Sequence, residues 1–231
     1  MSLHKIEKGL DLPISGKPIQ VVRGTSPCTR VAVLGDDFPG MQPRMHVEEG
    51  QSVKRGQVLF EDRKQPGVFH TAPGAGRVIA IHRGAKRAFQ SLVIDLSDGE
   101  RSGEPGDDEL VDFESYSGNA PEALSRDQIR ALLVESGLWT ALRQRPFSKV
   151  PSPESEPAGI FITATDTHPL APLPEVALAD RMDDFRLGAT LVARLCDGPT
   201  FLCVAEHSEI GDKAPEGVRI ERFAGPHPSG T

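Results

Sequence analysis

The chain has 231 residues, enough for one large domain or two modest ones, with a hydrophobic fraction of 38% that can supply a buried core. Its formal charge of -7 and its single Trp and single Tyr argue against a nucleic-acid partner, since such binders present basic surfaces and stacking rings. The three cysteines, Cys28, Cys196 and Cys203, form no CxxC pair, which excludes a disulfide framework, a zinc knuckle and an iron–sulfur cluster by spacing.

The N-terminus from Met1 to Lys8 is mixed and polar, without the basic-then-apolar pattern of a targeting segment. No apolar run approaches the roughly 20 residues that span a bilayer, so membrane association is expected only through partners. Residues 1–27 are expected to be an extension packed on the later domain. Residues 28–98 hold short β-like runs separated by glycine: Arg30-Val-Ala-Val-Leu34, Gln57-Val-Leu-Phe60, Gly76-Arg-Val-Ile-Ala-Ile81 and Ser91-Leu-Val-Ile-Asp-Leu96. They predict a small all-β barrel or sandwich. Residues 99–121, rich in Asp, Glu, Gly and Pro, read as an acidic linker.

An α/β domain is expected over 122–231. Ser125-Arg-Asp-Gln128 has capping-box spacing, and Ile129, Leu132, Leu133 and Leu138 give an apolar stripe, weakened by Gly137 and stopped before Pro146. Gly159-Ile-Phe-Ile-Thr-Ala164 reads as a buried strand. A helix from Asp184 carries Phe185, Leu187, Leu191, Val192 and Leu195 and stops at Asp197-Gly-Pro. Strands over 200–205 and 218–223 complete an alternation that predicts a partial, Rossmann-like parallel sheet. The fold class is thus a mixture of α+β and α/β, a β domain followed by a Rossmann-like domain. The closing run from Gly225 to Thr231 has no terminal element and reads as a truncation.

Gly50-Gln-Ser-Val-Lys-Arg-Gly56 followed by Thr71-Ala-Pro-Gly-Ala-Gly76 resembles the barrel-sandwich hybrid of biotinyl and lipoyl carrier domains. Those domains carry a modifiable lysine at the intervening hairpin tip, near Lys64 here. The methionines that flank a biotinyl lysine are absent, and Arg63 interrupts the Asp-Lys order of lipoyl domains, so the barrel reads as structural. A carrier role for Lys64 is the first alternative, and a free flavin- or nucleotide-dependent oxidoreductase the second.

Gly74-Ala-Gly76 lacks the third glycine of a dinucleotide fingerprint and opens a strand, while Gly35-Asp-Asp-Phe-Pro-Gly40 lacks the Lys-Ser/Thr of a phosphate loop. The histidines are scattered, with no HExxH and no close ligand pair, so no metal site is expected. No catalytic residue is assigned. Thr165, Asp166, Thr167 and His168 follow a predicted parallel strand, where α/β sheets usually bind ligands, and form a candidate ligand loop.

Lys8-Gly-Leu-Asp-Leu-Pro-Ile-Ser-Gly16, Val33-Leu-Gly-Asp-Asp-Phe-Pro-Gly-Met41, Leu59-Phe-Glu-Asp62, Arg83-Gly-Ala-Lys-Arg-Ala-Phe-Gln-Ser91 and the run from Leu133 to Pro151 resemble the A-subunit family of the bacterial sodium-translocating NADH:quinone reductases. The resemblance implies a barrel-sandwich domain and a Rossmann-like domain, with ubiquitin-like and helical parts beyond. It implies a peripheral subunit on the cytoplasmic face of the inner membrane, itself non-catalytic and holding no cofactor. FAD, FMN, riboflavin and iron–sulfur centres would sit on the other subunits, its partners, and ubiquinone would be the substrate of the complex.

The resemblance also implies ubiquinone contact at Leu34, Gly35, Asp36, Asp37, Phe38, Pro39, Gly40 and Met41, and at Leu142, Arg143, Gln144, Arg145, Pro146, Phe147, Ser148 and Lys149. Read physically, Phe38, Pro39 and Met41 offer an apolar loop for a ring or isoprenoid tail. Arg143, Arg145 and Lys149 beside Phe147 offer donors to quinone carbonyls or lipid phosphates. Docking of a partner subunit would use the same features.

Overall fold

The computed structural model describes residues 2–230. Met1 and Thr231, which end two of the expected segments, lie outside the described residues. The chain forms two compact units. One joins Thr25–Asn119 to Arg126–Ser155; the other joins Met1–Gly24, Ala120–Ser125 and Glu156–Thr231. The first strand, β1 (Ser2–Lys5), belongs to the latter.

The β unit contains β2 (Arg30–Leu34), β3 (Pro43–Met45), β4 (Ser52–Val53), β5 (Val58–Asp62), β6 (Phe69–Thr71), β7 (Gly76–Arg83) and β8 (Phe89–Leu96). They pair antiparallel in two sheets, ordered β2-β8-β7-β4 and β3-β5-β6. Alternation explains the core: Leu92, Ile94 and Leu96 of β8 are buried at every second position. With Val47, Val53, Leu59, Phe60, Ala72 and Val78, the first two of these form one cluster. Each fully buried aliphatic or phenyl side chain there contributes about 1.5–3 kcal/mol. The short strands β3, β4 and β6 were invisible to pattern reading, being two or three residues long.

The acidic stretch expected as a linker is tied to this unit. Ser97 Oγ accepts from Glu100 N and caps helix α1 (Asp98–Ser102). The Glu100 carboxylate then binds the Arg55 guanidinium and accepts from Ala75 N at 2.7 Å. Arg55 N donates to Glu109 O and Val111 N to Arg55 O. Glu135 accepts from Glu114 N and Ser115 N, both at 2.9 Å. Gly and Pro content reads as flexibility, but here the carboxylates have backbone amides and one arginine to satisfy.

Residues 126–155, expected within the α/β domain, also group with the β unit. Helix α2 (Arg126–Glu135) buries Ile129 and ends before Gly137, whose φ of +78° turns the chain into a 3-10 turn at Leu138–Ala141. Thr71 Oγ1 on β6 donates to Ser136 O at 2.8 Å, and Trp139, 4% exposed, donates through Nε1 to Pro151 O at 2.9 Å. Helical periodicity predicts the helix; the hydrogen bonds that follow it, to Thr71 and Pro151, show only in the folded chain.

The α/β unit contains β9 (Ile160–Ala164), α3 (Pro174–Leu178), α4 (Met182–Ala193), β10 (Thr200–Ala205) and β11 (Val218–Ala224). Its sheet is parallel throughout, in the order β1-β11-β10-β9. α4 begins two residues before the expected Asp184, with Asp183 and Asp184 in its first turn, where the helix dipole favours negative charge. Phe185 and Met182 pack against Ala164, Leu202, Val204, Ile210 and Val218. Among the described residues no helix is long and apolar enough to cross a membrane.

Candidate functional site

Within the β unit, the loop after β2 and the turn after the 3-10 segment come together. Gly35 N donates to Gln90 O and Phe38 N to Gly35 O, which curls 35–41 over the end of the barrel. The Arg143 guanidinium lies 5.2 Å from the centroid of the Phe38 ring and donates to Asp37 O at 3.3 Å. It also donates to Leu142 O and Thr140 O, which fixes its fork. Gln144 and Lys149 close the turn, Gln144 N donating to Lys149 O at 2.7 Å. A Cβ on Gly40 would lie 3.4 Å from Lys149 Cε.

Between these segments is a cavity of about 200 Å³, lined by Phe38, Pro39, Gly40, Met41, Asp62, Lys64, Gln65, His70, Lys149 and Val150. The volume is below the roughly 300–1,000 Å³ of sites that engulf a drug-sized ligand. It suits a single ring and not a long tail.

His70 is 3% exposed, sandwiched between Phe60, stacked at 4.5 Å, and Phe38, edge-on at 4.4 Å. Burial lowers its pKa to about 4; the Asp62 charge opposes that shift and the Arg143 charge adds to it. The ring is therefore neutral at pH 7, and its Nε2 is buried with no hydrogen-bond partner. Gln65 Nε2 donates to Val150 O at 2.9 Å, while Gln65 Oε1 is buried and unpartnered. Asp62, 5% exposed, accepts through Oδ1 from Gln42 N and Lys64 N, both at 3.0 Å.

Of the residues expected from sequence, Phe38, Pro39, Gly40, Met41 and Lys149 line the cavity, and Arg143 braces Phe38 from outside. Leu34, Asp36 and Asp37 are exposed, Gly35 packs on the Phe89 carbonyl, and Arg145, Pro146 and Phe147 face solvent. Leu142 and Ser148 are half-buried and belong to the turn rather than the lining. Asp62, Gln65, His70 and Val150 were missed. His70 had a legible signal: Val68, His70 and Ala72 alternate on the buried side, so a polar ring occupies an inward position. Lys64, considered above for carrier chemistry, contributes to the cavity wall.

The second candidate lies in the α/β unit, at the C-terminal end of β9. Asp166 Oδ1 accepts from His168 N and pairs with His168 Nδ1 at 2.6 Å, which holds the Asp166 carboxyl below its usual range. Thr167 Oγ1 bonds His227 Nδ1 at 2.8 Å, and the His168 and His227 rings are 4.6 Å apart. Thr165 is buried. The loop thus binds the chain's own terminal segment, with His227 as a member no spacing rule could supply. Among the described residues no group of three or more potential ligands is arranged for a metal ion. A wider groove of about 770 Å³ in the same unit lies at the N-terminal ends of β10 and β11, opposite to where parallel sheets bind ligands.

Two family models match along the chain. Residues 4–97 match the family model described as the NqrA N-terminal barrel-sandwich hybrid domain, and residues 124–231 match the NqrA second alpha/beta domain. The chain belongs to the NqrA family. The NqrA protein of Pseudomonas aeruginosa, the A-subunit of a Na(+)-translocating NADH-quinone reductase, is 51% identical over 226 residues, covering 98% of this chain and 48% of that protein. The corresponding A-subunits of Serratia proteamaculans and of Neisseria meningitidis serogroup C are 47% and 45% identical, covering 98% of this chain and 49% and 48% of theirs. This NqrA-family chain therefore spans about half the length of the curated relatives it matches. The barrel-sandwich reading and the coarser α/β class both agree with the matched domains.

Proposed function

We propose that the chain serves as part of the NqrA component of a sodium-translocating NADH:quinone reductase, a peripheral subunit on the cytoplasmic face that helps bind ubiquinone and assemble the complex. The chemistry of electron transfer belongs in this reading to flavins and iron–sulfur centres on the other subunits. The α/β unit is taken as Rossmann-like on the strength of its parallel order. Relatives bearing the NqrA name over nearly the whole chain support the assignment, as does its residue-level fit to the two family domains.

The observation that carries the quinone reading is the convergence of Phe38–Met41 and Lys149 on one cavity with the unpartnered Nε2 of His70 in its wall. A planar headgroup gains contact with Phe38 and Met41, and its oxygens find donors in His70 Nε2 and the ammonium groups of Lys64 and Lys149. Arg143 keeps Phe38 in place rather than touching the ring itself. Phe38→Ala and Arg143→Ala in the whole complex are expected to raise KM for ubiquinone about tenfold, the scale of one lost ring contact or brace. NADH oxidation with an artificial acceptor should be unchanged. An unaltered KM in both variants contradicts the reading.

A further inference from the structure

Two residues of the cavity lining, Gln65 and His70, each carry a buried side-chain atom without a hydrogen-bond partner, and the two atoms are not chemically equivalent to a ligand. The Gln65 amide is fixed in orientation, because its nitrogen donates to Val150 O at 2.9 Å and a carbonyl there can only accept. Gln65 Oε1 is thereby committed as an acceptor, buried and without a donor. His70 Nε2, on a neutral ring, accepts a hydrogen bond from a hydroxyl in one tautomer and donates one to an oxygen in the other.

A quinone brings two carbonyl oxygens, both acceptors. Against Gln65 Oε1 a carbonyl meets a second lone pair and leaves the amide unsatisfied. A hydroquinone of the same shape brings a hydroxyl at each end, and such a group satisfies Gln65 Oε1. We infer that the cavity selects the reduced, hydroquinone form of the headgroup, with Gln65 Oε1 as the group that reads the hydroxyl and His70 Nε2 as its partner in the wall. The inference rests on the quinone reading above and deepens it. Both atoms are buried, and the Phe38 ring packs edge-on 4.4 Å from His70. The ammonium groups of Lys64 and Lys149 on the rim favour any negative charge that develops on a hydroquinone oxygen.

The discrimination expected is large for so small a change. A site whose buried polar group is left unpaired by the wrong ligand rejects it more strongly than an apolar pocket rejects a misfit.

The test is anaerobic calorimetric titration of the purified chain with durohydroquinone and with duroquinone, a pair whose ring methyls prevent addition to the exposed Cys28. Durohydroquinone is expected to bind at least about tenfold more tightly. Such a preference raises the two-electron midpoint potential of the bound pair by about 30 mV, a second readout. Gln65→Met, close in size, should remove the preference, weakening durohydroquinone and tightening duroquinone until the two bind alike. Thermal melting shows whether each variant is folded, and the wild-type comparison stands even if Gln65→Met is not. Equal affinity for the two forms, or tighter duroquinone, overturns the redox selection and leaves the quinone site standing. Binding of neither form overturns both readings together.

Discussion

His70 is buried in the β unit and lines its cavity. Its pKa falls from an ordinary 6.5 to about 4 on folding because the ring is buried between Phe38 and Phe60. The unfolded chain therefore binds more protons than the folded one between those values. The stabilisation is complete above pH 6.5 and is lost as pH falls toward 4, by roughly 3 kcal/mol in all. Urea melts of the β unit at pH 7 and pH 5, followed through its single Trp, should show about 2 kcal/mol of that loss, and His70→Phe should flatten it. A wild-type slope identical to that of the variant would mean the ring is not held neutral. Glu100 works at the opposite sign of charge. Its carboxylate is depressed mainly by the Arg55 hydrogen bond, helped by Ala75 N, so Glu100→Ala should destabilise the unit by about 1–3 kcal/mol at pH 7. The same melts measure it, and a change below a few tenths would reduce the pair to an exposed ion pair of little consequence.

At the scale of elements, the cavity is formed by pieces whose types were readable and whose meeting was not. Short β-branched runs gave β2, β7 and β8, and the apolar stripe at Ile129 and Leu132 gave α2, because local periodicity follows from which face is buried. Strands as short as β4 and β6 carry no such period. The grouping of 126–155 with the barrel depends on Gly137, where a Cβ would come within 2.4 Å of Thr71 Oγ1 and where φ is +78°. Gly137→Ala should lose about 2–3 kcal/mol of stability and shift the 142–149 turn. Trp139 fluorescence, one element away, reports both; an unchanged melt and spectrum would show the joint to be pliable. The cavity loop segments were legible through family strings, but Gln65 and Val150 are brought together by a hydrogen bond across 85 residues of sequence, which no local pattern shows.

For the whole molecule, the parallel sheet draws its edge strand from the start of the chain. β1 pairs with β11 from Ser2 opposite Glu221 to Lys5 opposite Ala224, and Ile6 N donates to Ala224 O. Composition gave Ser2 to Lys5 no strand character, since its exposed polar residues lack an apolar face; the extension was legible only as a segment expected to pack on the later domain. Deleting residues 1–6 should leave the β unit's melting unchanged and raise hydrogen exchange at the amides of β11 by about tenfold or more. Unchanged protection there would mean the edge pairing contributes little.

The central claim joins a fold to a ligand: that the cavity between the Phe38–Met41 loop and Lys149 receives a quinone headgroup. It is tested most directly by photolabelling the intact membrane complex with a light-activated ubiquinone analogue and mapping the labelled peptides. Label at the Phe38–Met41 loop and at Lys149, removed by excess ubiquinone and weakened by Phe38→Ala, is the predicted result. Label confined to other subunits would contradict the claim, and would return Arg143 and Lys149 to the docking of a partner chain.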